Sequence, residues 1–220
     1  MKNYCPICDK EIDFINKISP TSKNLSKGVC PSCNLQRRHR SAFMYFKEKT
    51  NIFTDNISLL HIAPEVKIAE IFLSLPNIKY HSIDLDEKRK YVLKKADLNK
   101  KIPYDDNMFD IIYCCHVLEH IENDIQAMKE MYKVLKPNGK AIIQVPFGKK
   151  KHIYEDYSIT SPELRHKHFK HPNHVRIYTI EGIKERLNNV GFNVKIEKSY
   201  TNNKIPIWFD RHPLIIGNKK

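Results

Sequence analysis

The stretch from Phe109 to Pro146 constrains the fold of this chain more than any other part. Phe109 to Cys115 is an apolar run of buried-strand length, and apolar residues then recur at helical spacing until a Pro-Asn-Gly turn at 137–139. Ala141 to Val145 supplies a second apolar run. Strand, helix and strand in immediate succession predict half of a nucleotide-binding α/β domain.

The motifs in this stretch are similar to those of class I S-adenosylmethionine (SAM)-dependent methyltransferases, in particular the methyltransferase type 11 group. The shared pattern is D-x-x-x-x-x-x-V-L-E-H, then L-K-P-N-G-K, then a strand that ends in Pro. The matching residues are Asp110, Leu118, Glu119, His120, Leu135, Lys136, Pro137 and Gly139. The resemblance implies a doubly wound, Rossmann-like, mostly parallel sheet of seven strands, closed by a helix, a Gly-Phe pair, a strand at 193–196 and an antiparallel strand at 213–216.

Four cysteines near the amino terminus form two C-x-x-C pairs. Cys5 and Cys8 are separated from Cys30 and Cys33 by 21 residues. This spacing is typical of a four-thiolate zinc ribbon or treble-clef-like site, in which bound Zn²⁺ supplies folding energy that a short segment lacks. Disulfides are the alternative, but no feature indicates an oxidising compartment. The basic cluster at 37–40 that follows the cysteines either touches the substrate or is solvated.

The chain is expected to contain a small module and one larger domain. Residues 1–40 are predicted to form the zinc ribbon and residues 41–55 a linker helix. Residues 56–220 are predicted to form the methyltransferase domain, within which residues 147–178 are an insertion that covers the substrate.

Positive charge is concentrated at the two ends of the chain. Of the net charge of +13, residues 1–50 carry +6, residues 51–147 carry −1 and residues 148–220 carry +8. An anionic partner is expected, either RNA or a nucleotide-activated sugar or other phosphorylated metabolite, unless the lysines only solvate the surface. No apolar run approaches the ~18 residues of a membrane span, and no signal-peptide core is present, so we expect a cytoplasmic protein without membrane insertion.

The expected cofactor site lies where the predicted strands end. Asp84 matches the family's carboxylate that accepts hydrogen bonds from the ribose hydroxyls, and Asp97 matches the residue beside the adenine amino group. His116, after the fourth strand, is expected to line the SAM pocket. The predicted cofactor-binding residues are His61, Ala63, Glu65, Asp84, Asp97, Leu98 and His116.

The loop after the first strand departs from the family pattern. Methyltransferases of this class carry glycines there, because glycine lets the backbone approach SAM closely. This chain has no glycine between Gly28 and Gly139, and Ala63 is the nearest small replacement. Two interpretations stay open: a different turn that still holds SAM, or a domain that has lost cofactor binding.

The insertion is expected to select the methyl acceptor. It contains five of the eleven histidines, at 152, 166, 168, 171 and 174. His174 is predicted to be the general base, with Asp156 as its orienter or an alternative base. Arg165, Arg176 and Tyr178 are predicted to bind the acceptor, since two guanidinium groups suit a phosphate or carboxylate. The alternatives are a basic loop that only anchors the fold and a second metal site built from the histidines.

Together these features predict a SAM-dependent methyltransferase with structural Zn²⁺. The expected reaction is O-methylation of a small anionic metabolite, such as a nucleotide sugar or phosphorylated glycan precursor. The motif set resembles a bacterial subgroup associated with surface-polysaccharide and sugar modification. One alternative is an RNA methyltransferase that uses the ribbon and the basic flanks, although no N-P-P-Y-like motif is present. Another is a non-catalytic scaffold.

Overall fold

The first part of the chain forms two small hairpins and a helix. The computed structural model describes residues 4–19, 23–197 and 213–220. The elements are β1 (Tyr4–Cys5), β2 (Lys10–Glu11), β3 (Ile15–Ile18), β4 (Leu25–Val29) and α1 (Arg37–Lys49). β1 pairs with β2 and β3 with β4, both antiparallel. The helix expected within residues 41–55 thus begins earlier, where the Gln36 backbone N–H donates to Nδ1 of His39 at 3.0 Å and closes the first turn.

A seven-stranded mixed sheet forms the centre of the molecule. The remaining strands are β5 (Ile57–Ile62), β6 (Ile78–Asp84), β7 (Lys94–Lys95), β8 (Phe109–Cys115), β9 (Leu135–Gln144), β10 (Tyr154–Glu155), β11 (Arg176–Ile177), β12 (Asn193–Glu197) and β13 (Leu214–Asn218). The sheet order is β12-β13-β9-β8-β5-β6-β7, with β10 and β11 paired separately. β5 to β9 run parallel, whereas β13 is antiparallel to both β9 and β12. The predicted doubly wound α/β sheet is confirmed.

Alternate residues of the central strands supply two separate cores. Leu60 and Ile112 point to one face, where α3 (Asp124–Val134) and α5 (Ile180–Val190) pack. Leu59 and Tyr113 point to the other face, where α1 and α2 (Val66–Leu73) pack. This alternation follows from the two-residue period of a strand whose faces are both covered. The ring of Phe46 in α1 lies 5.2 Å from that of Tyr113, so α1 is part of the domain's own core.

The helix within the diagnostic stretch ends earlier than its apolar spacing predicts. Leu135 was expected to be helical, but α3 ends at Val134 and β9 begins at Leu135. The cause is Pro137, which disfavours helical backbone at the residue before it. Asn138, with a φ of 63°, lies inside β9, where the register of the β8–β9 pairing shifts between Leu135 and Lys140.

The insertion between β9 and α5 folds over the carboxyl end of the sheet. It contains β10, α4 (Pro162–Phe169) and β11. Val175 donates its backbone N–H to the carbonyl of Glu119 at 2.9 Å. Glu119 belongs to a short 3₁₀ helix at Leu118–His120 that directly follows β8, so the insertion is fastened to the loop after that strand.

No helix in the described parts of the chain combines the length and the apolar character that crossing a membrane requires.

Candidate functional site

Three strand ends bring the predicted cofactor residues to one edge of the sheet. β5 lies between β6 and β8, and Ile62 pairs with both Ile83 and Cys114. The residues that follow these positions, among them Ala63, Asp84 and His116, therefore share the carboxyl edge. Open α/β sheets bind their ligands at this edge.

The loop after β5 has the backbone shape that glycine normally provides. Ala63 has a φ of 53°, and its N–H donates to the carbonyl of Ile83 at 2.8 Å. His116 at the end of β8 has a φ of 56°. Left-handed backbone at a residue other than glycine is strained, and such strain is concentrated at functional sites. Ala63 thus adopts the backbone conformation that glycine normally supplies.

His61 and Glu65 brace this loop from within. Nε2 of His61 lies 2.9 Å from Oε2 of Glu65, and Nδ1 of His61 lies 3.1 Å from the Tyr80 hydroxyl. Nε2 of His39, from α1, lies 3.3 Å from Oε1 of Glu65. Burial would raise the pKa of Glu65, but the contacts with the two histidines outweigh it and hold that pKa well below its usual value. The carboxylate is therefore ionised and tied to two elements.

The two predicted aspartates stand at strand ends with local partners. Oδ1 of Asp84 accepts the Asp86 backbone N–H at 2.9 Å, and its Oδ2 is bound by Arg89. Oδ1 of Asp97 accepts the backbone N–H of Asn99 at 2.9 Å, and this bond lowers the pKa of Asp97. Both residues are partly buried, and a ligand at Asp84 would have to share or replace its contact with Arg89.

Leu98 contributes to the same region in a different way. Its side chain is buried in the core against α3 rather than directed at the edge. A cofactor contact at this position would come from the backbone.

A cavity of about 790 Å³ opens beside the strand edge, between the amino-terminal module, the loop after β8 and the insertion. The charged and titratable residues that line it are Lys27, Arg37, Arg38, His116, Glu119, His120, His171 and His174. Residues 24–27 of the β3–β4 hairpin form part of its wall. The cysteine-rich module thus completes the pocket rather than standing apart from it.

Glu119 is the buried acid of this cavity. Its side chain has no exposed surface, and neither carboxylate oxygen has a hydrogen-bond partner among the described residues. Nδ1 of His116 lies 3.0 Å from Oε1 of Glu119, without the alignment of a hydrogen bond. Burial raises the pKa of Glu119 to about 7.

The predicted base, His174, lines the cavity but is not paired with Asp156. Burial and the neighbouring histidines lower the pKa of His174 to about 3, so it is a weak base. Oδ1 of Asp156 instead accepts the N–H and the hydroxyl of Ser158, at 3.0 and 2.6 Å. The carboxylate next to His174 is that of Glu119, 4.0 Å away. The geometry therefore places Glu119 where the sequence suggested Asp156.

Arg176 and Tyr178 are buried and bonded to the protein itself. Nε of Arg176 donates to Glu155 at 2.8 Å, and its terminal nitrogens donate to the backbone carbonyls of Leu118, Ile121 and Glu122. The Tyr178 hydroxyl donates to Asp124. Because these donors are taken and both side chains are inaccessible, the geometry favours a bracing role over the predicted acceptor contact.

Arg165 is only partly buried. Its Nε donates to the carbonyl of Ile159 at 3.2 Å, and a terminal nitrogen lies 3.6 Å from Oε1 of Glu122. It lies near the insertion's surface and is not among the residues lining the cavity.

Two pocket residues were underestimated from sequence. Glu119 was recognised only as part of the family motif. For Arg38, in the basic cluster at 37–40, the sequence left open whether it touches the substrate or is solvated. For Glu119, the signal that could have identified it is an acid inside an otherwise apolar V-L-E-H turn directly after a buried strand. For Arg38, no local signal exists, because its place in the cavity depends on how α1 packs on the sheet.

The four amino-terminal cysteines converge. Their sulfur atoms all lie within 4.8 Å of one another, with Cys5 to Cys33 at 3.9 Å and Cys8 to Cys30 at 3.8 Å. Four sulfurs around a tetrahedral metal ion at ~2.3 Å lie roughly 3.8 Å apart, whereas a disulfide needs ~2.05 Å. All four are free thiols in this structure, and their arrangement fits a closed metal site.

The comparisons with known proteins agree with this geometry. The family described as a methyltransferase domain matches residues 65–143. The YcgJ protein of Bacillus subtilis has a TM-score of 0.58 at 13% identity, over 83% of this chain and 99% of that one. A Burkholderia thailandensis 1,6-didemethyltoxoflavin-N1-methyltransferase, solved with S-adenosylhomocysteine, has a TM-score of 0.56 at 14% identity, over 84% of this chain and 78% of that one. The central sheet therefore has the α/β, Rossmann-like fold of methyltransferases.

Curated relatives match this domain over part of their length. An uncharacterized protein of Methanocaldococcus jannaschii is 31% identical over 114 residues, which are 49% of this chain and 46% of that protein. The ubiquinone/menaquinone biosynthesis C-methyltransferase UbiE of Rickettsia typhi is 35% identical over 39% of this chain and 36% of its own length. This chain thus spans less than half the length of these relatives.

Proposed function

We propose that this protein transfers a methyl group from SAM to an oxygen of a small anionic acceptor. The observation that carries the proposal is the cavity at the carboxyl edge of a methyltransferase sheet, lined by two arginines, histidines and a buried carboxylate. Its volume of about 790 Å³ is in the range of small-molecule sites, ~300–1,000 Å³. A nucleotide sugar or a phosphorylated glycan precursor has the charge that such a pocket selects.

The cofactor would be held by the three strand ends. Asp84 and Asp97 offer carboxylates to hydroxyl and amino groups, and the left-handed turn at Ala63 lets the backbone come close to a ligand. The contacts of Glu65 with His39 and His61 keep that turn in place. When bound, SAM supplies an electrophilic methyl group, and the main task of the protein is to align an acceptor with it.

The acceptor would be held by positively charged side chains and deprotonated by a carboxylate of the same cavity. Arg37 and Arg38 place two guanidinium groups on the wall, which suits a phosphate or carboxylate. Glu119 has no hydrogen-bond partner among the described residues and lies beside His116, so it is free to accept the hydroxyl proton. Loss of the proton would give the oxygen the electron pair that forms the new bond to the methyl carbon, while the C–S bond breaks and leaves a neutral thioether, S-adenosylhomocysteine.

The four cysteines would hold a structural Zn²⁺. A site with four protein ligands has no open position for substrate, so the ion stabilises the module and not the reaction. Cys5, Cys30 and Cys33 belong to the same core as α1, and α1 carries the two arginines of the pocket. Bound zinc would therefore stabilise the position of α1 and of its two arginines in the acceptor site.

An RNA acceptor is less favoured by the pocket. The basic flanks suit a nucleic acid, but the residues proposed to bind the acceptor line a bounded cavity between three segments of the chain. A polynucleotide needs an extended basic surface and would show a steep dependence of affinity on salt.

Calorimetric binding of SAM, followed by transfer of an isotopically labelled methyl group into fractionated cell extract, tests the proposal. Wild-type protein should bind SAM, and label should appear in the small-molecule fraction. Asp84→Asn should weaken SAM binding by more than tenfold, whereas Asp86→Asn, two residues further on, should not. Glu119→Gln should keep SAM binding and lose transfer by ~10²-fold or more.

Two outcomes would overturn the proposal, and a third would overturn the role of Glu119 in it. Failure of the wild-type protein to bind SAM would favour a non-catalytic scaffold. Label in RNA would favour the nucleic-acid alternative. Full transfer by Glu119→Gln would remove that residue from the reaction.

A further inference from the structure

Three histidines from two segments converge on one wall of the cavity. His120 ends the 3₁₀ helix after β8, while His171 and His174 lie in the turn between α4 and β11. Each offers a ring nitrogen, and these nitrogens all lie within 4.8 Å of one another. We propose that His120, His171 and His174 form a binding site for a divalent transition-metal ion, separate from the four-cysteine site.

The distances are close to those of a metal centre. Three imidazole nitrogens at ~2.1 Å from one ion lie roughly 3.0–3.5 Å apart. The rings are close together, with centroids 4.7 Å apart for His120 and His174 and 4.4 Å apart for His171 and His174. The His171 and His174 rings are stacked at 20° to each other, so at least one of them has to rotate for both nitrogens to face one ion.

Backbone hydrogen bonds hold the two segments together in advance. Val175 N–H donates to the carbonyl of Glu119 at 2.9 Å, which fixes the residues next to His174 and His120 against each other. The carbonyl of Asn173 lies 3.0 Å from Nδ1 of His120. A site whose ligands are already positioned loses little conformational entropy when an ion binds.

The hydrogen bonds of the rings leave nitrogens for an ion. A His120 ring that donates from Nδ1 to Asn173 keeps the lone pair of Nε2, and this is the usual second partner of a metal-bound histidine. Nδ1 of His174 is buried and has no hydrogen-bond partner among the residues that the structure describes. His171 accepts the Asn173 N–H at 3.2 Å, a long bond that ligation would replace.

The surroundings select the kind of ion. Three imidazoles favour zinc, nickel, cobalt, copper or ferrous iron over magnesium and calcium, which prefer oxygen. Glu119 supplies a buried negative charge, with Oε1 4.0 Å from Nε2 of His174, and this charge offsets part of the repulsion from the nearby arginines. With three protein ligands the ion keeps an open position that faces the cavity.

The role of the ion, unlike its binding, rests on the proposed function. An ion in this position would bind an acceptor oxygen and favour its deprotonated form, as metal-bound oxygens lose protons more readily. If the protein does not transfer methyl groups, the ion loses this role. The metal site itself is then tested by metal binding alone.

Titration of the full chain with Ni²⁺ and Co²⁺ in the absence of SAM tests the site. The starting protein carries its cysteine-bound zinc, and uptake is followed by calorimetry and by metal analysis after gel filtration. We expect one further ion per chain. His174→Ala and, as a second variant, His171→Asn should weaken this uptake by more than tenfold, whereas His152→Ala, an exposed histidine of the same insertion, should not change it.

The variants remain informative if one of them is unstable. Retention of the cysteine-bound zinc and of the wild-type circular dichroism spectrum identifies a folded variant. If the wild type takes up no ion beyond the cysteine-bound zinc at saturating Ni²⁺, or if folded His174→Ala and His171→Asn take up as much as the wild type, the proposal is overturned.

Discussion

Nε2 of His39 lies 3.3 Å from Oε1 of Glu65, so the helix that follows the cysteine module reaches the loop expected to hold the cofactor. The same carboxylate is held on its other side by His61, at 2.9 Å. Glu65 is the residue directly before α2, and both contacts hold its side chain in place. The helix after the cysteine module and the loop after β5 are thus joined through one carboxylate.

This contact predicts that a residue far from the nucleotide affects cofactor affinity. His39→Ala should weaken SAM binding about fivefold, which corresponds to ~1 kcal/mol for loss of the contact between the imidazole and the ionised carboxylate. Calorimetric titration with SAM measures the effect. Lys47→Ala, an exposed change on the same helix, is the control, and equal affinities of both variants and the wild type would show that the contact does not matter.

The cysteine site predicts a change in stability that depends on metal. Cys30→Ser should lower the zinc content and the melting temperature, because structural zinc contributes on the order of 10 kcal/mol to the folding of small modules. Metal analysis after extensive dialysis, together with calorimetric unfolding, measures both. Cys114→Ala is the control, since Cys114 is buried in the sheet and should leave the zinc content unchanged whatever its effect on stability. Equal zinc contents in Cys30→Ser and the wild type would contradict the assignment.

Arg176 is predicted to matter for stability and not for acceptor affinity. Arg176→Ala would leave Glu155 and three backbone carbonyls without their donor and should cost about 3–5 kcal/mol. Arg165→Ala, whose partner Glu122 is largely exposed, should cost less than about 1 kcal/mol. Urea unfolding compares the two. A stable Arg176→Ala protein with a raised KM for its acceptor would restore the binding role that the sequence suggested.

The contrast between Arg176 and the strands shows what the sequence can and cannot predict. β8 was predicted because its apolar run is local, and α5 followed from the family resemblance, with Gly191 after it at a φ of 115°. The partners of Arg176 are carbonyls more than fifty residues away, which no local pattern reveals. The burial of Glu119 likewise depends on the insertion that covers it.

The pH dependence of stability should reveal the Glu155 network. Burial would raise the pKa of Glu155, but Arg186 and Arg176 outweigh it and lower that pKa below 4.5. The stabilisation is therefore fully present above about pH 4.5 and is lost as the pH falls through the lower pKa of the folded state. Glu155→Gln should be less stable than the wild type by about 2 kcal/mol at pH 7, and the difference should shrink towards pH 3. Urea unfolding across this range checks it. The exposed Glu163→Gln is the control, and a constant difference at every pH would contradict the explanation.

The left-handed backbone at Ala63 should limit which side chains this position tolerates. Alanine at a φ of 53° costs about 1 kcal/mol relative to glycine, but glycine in the unfolded chain loses a similar amount of entropy on folding. Ala63→Gly should therefore change stability by less than about 1 kcal/mol and SAM affinity by less than threefold. Ala63→Val places a β-branched side chain in the same conformation and should cost about 1–3 kcal/mol and at least tenfold in SAM affinity. Asn138→Val, at a φ of 63° near the opposite end of the sheet, is the matched control and should lose stability without losing SAM binding. If Ala63→Val binds SAM as tightly as the wild type does, this turn is not part of the cofactor site.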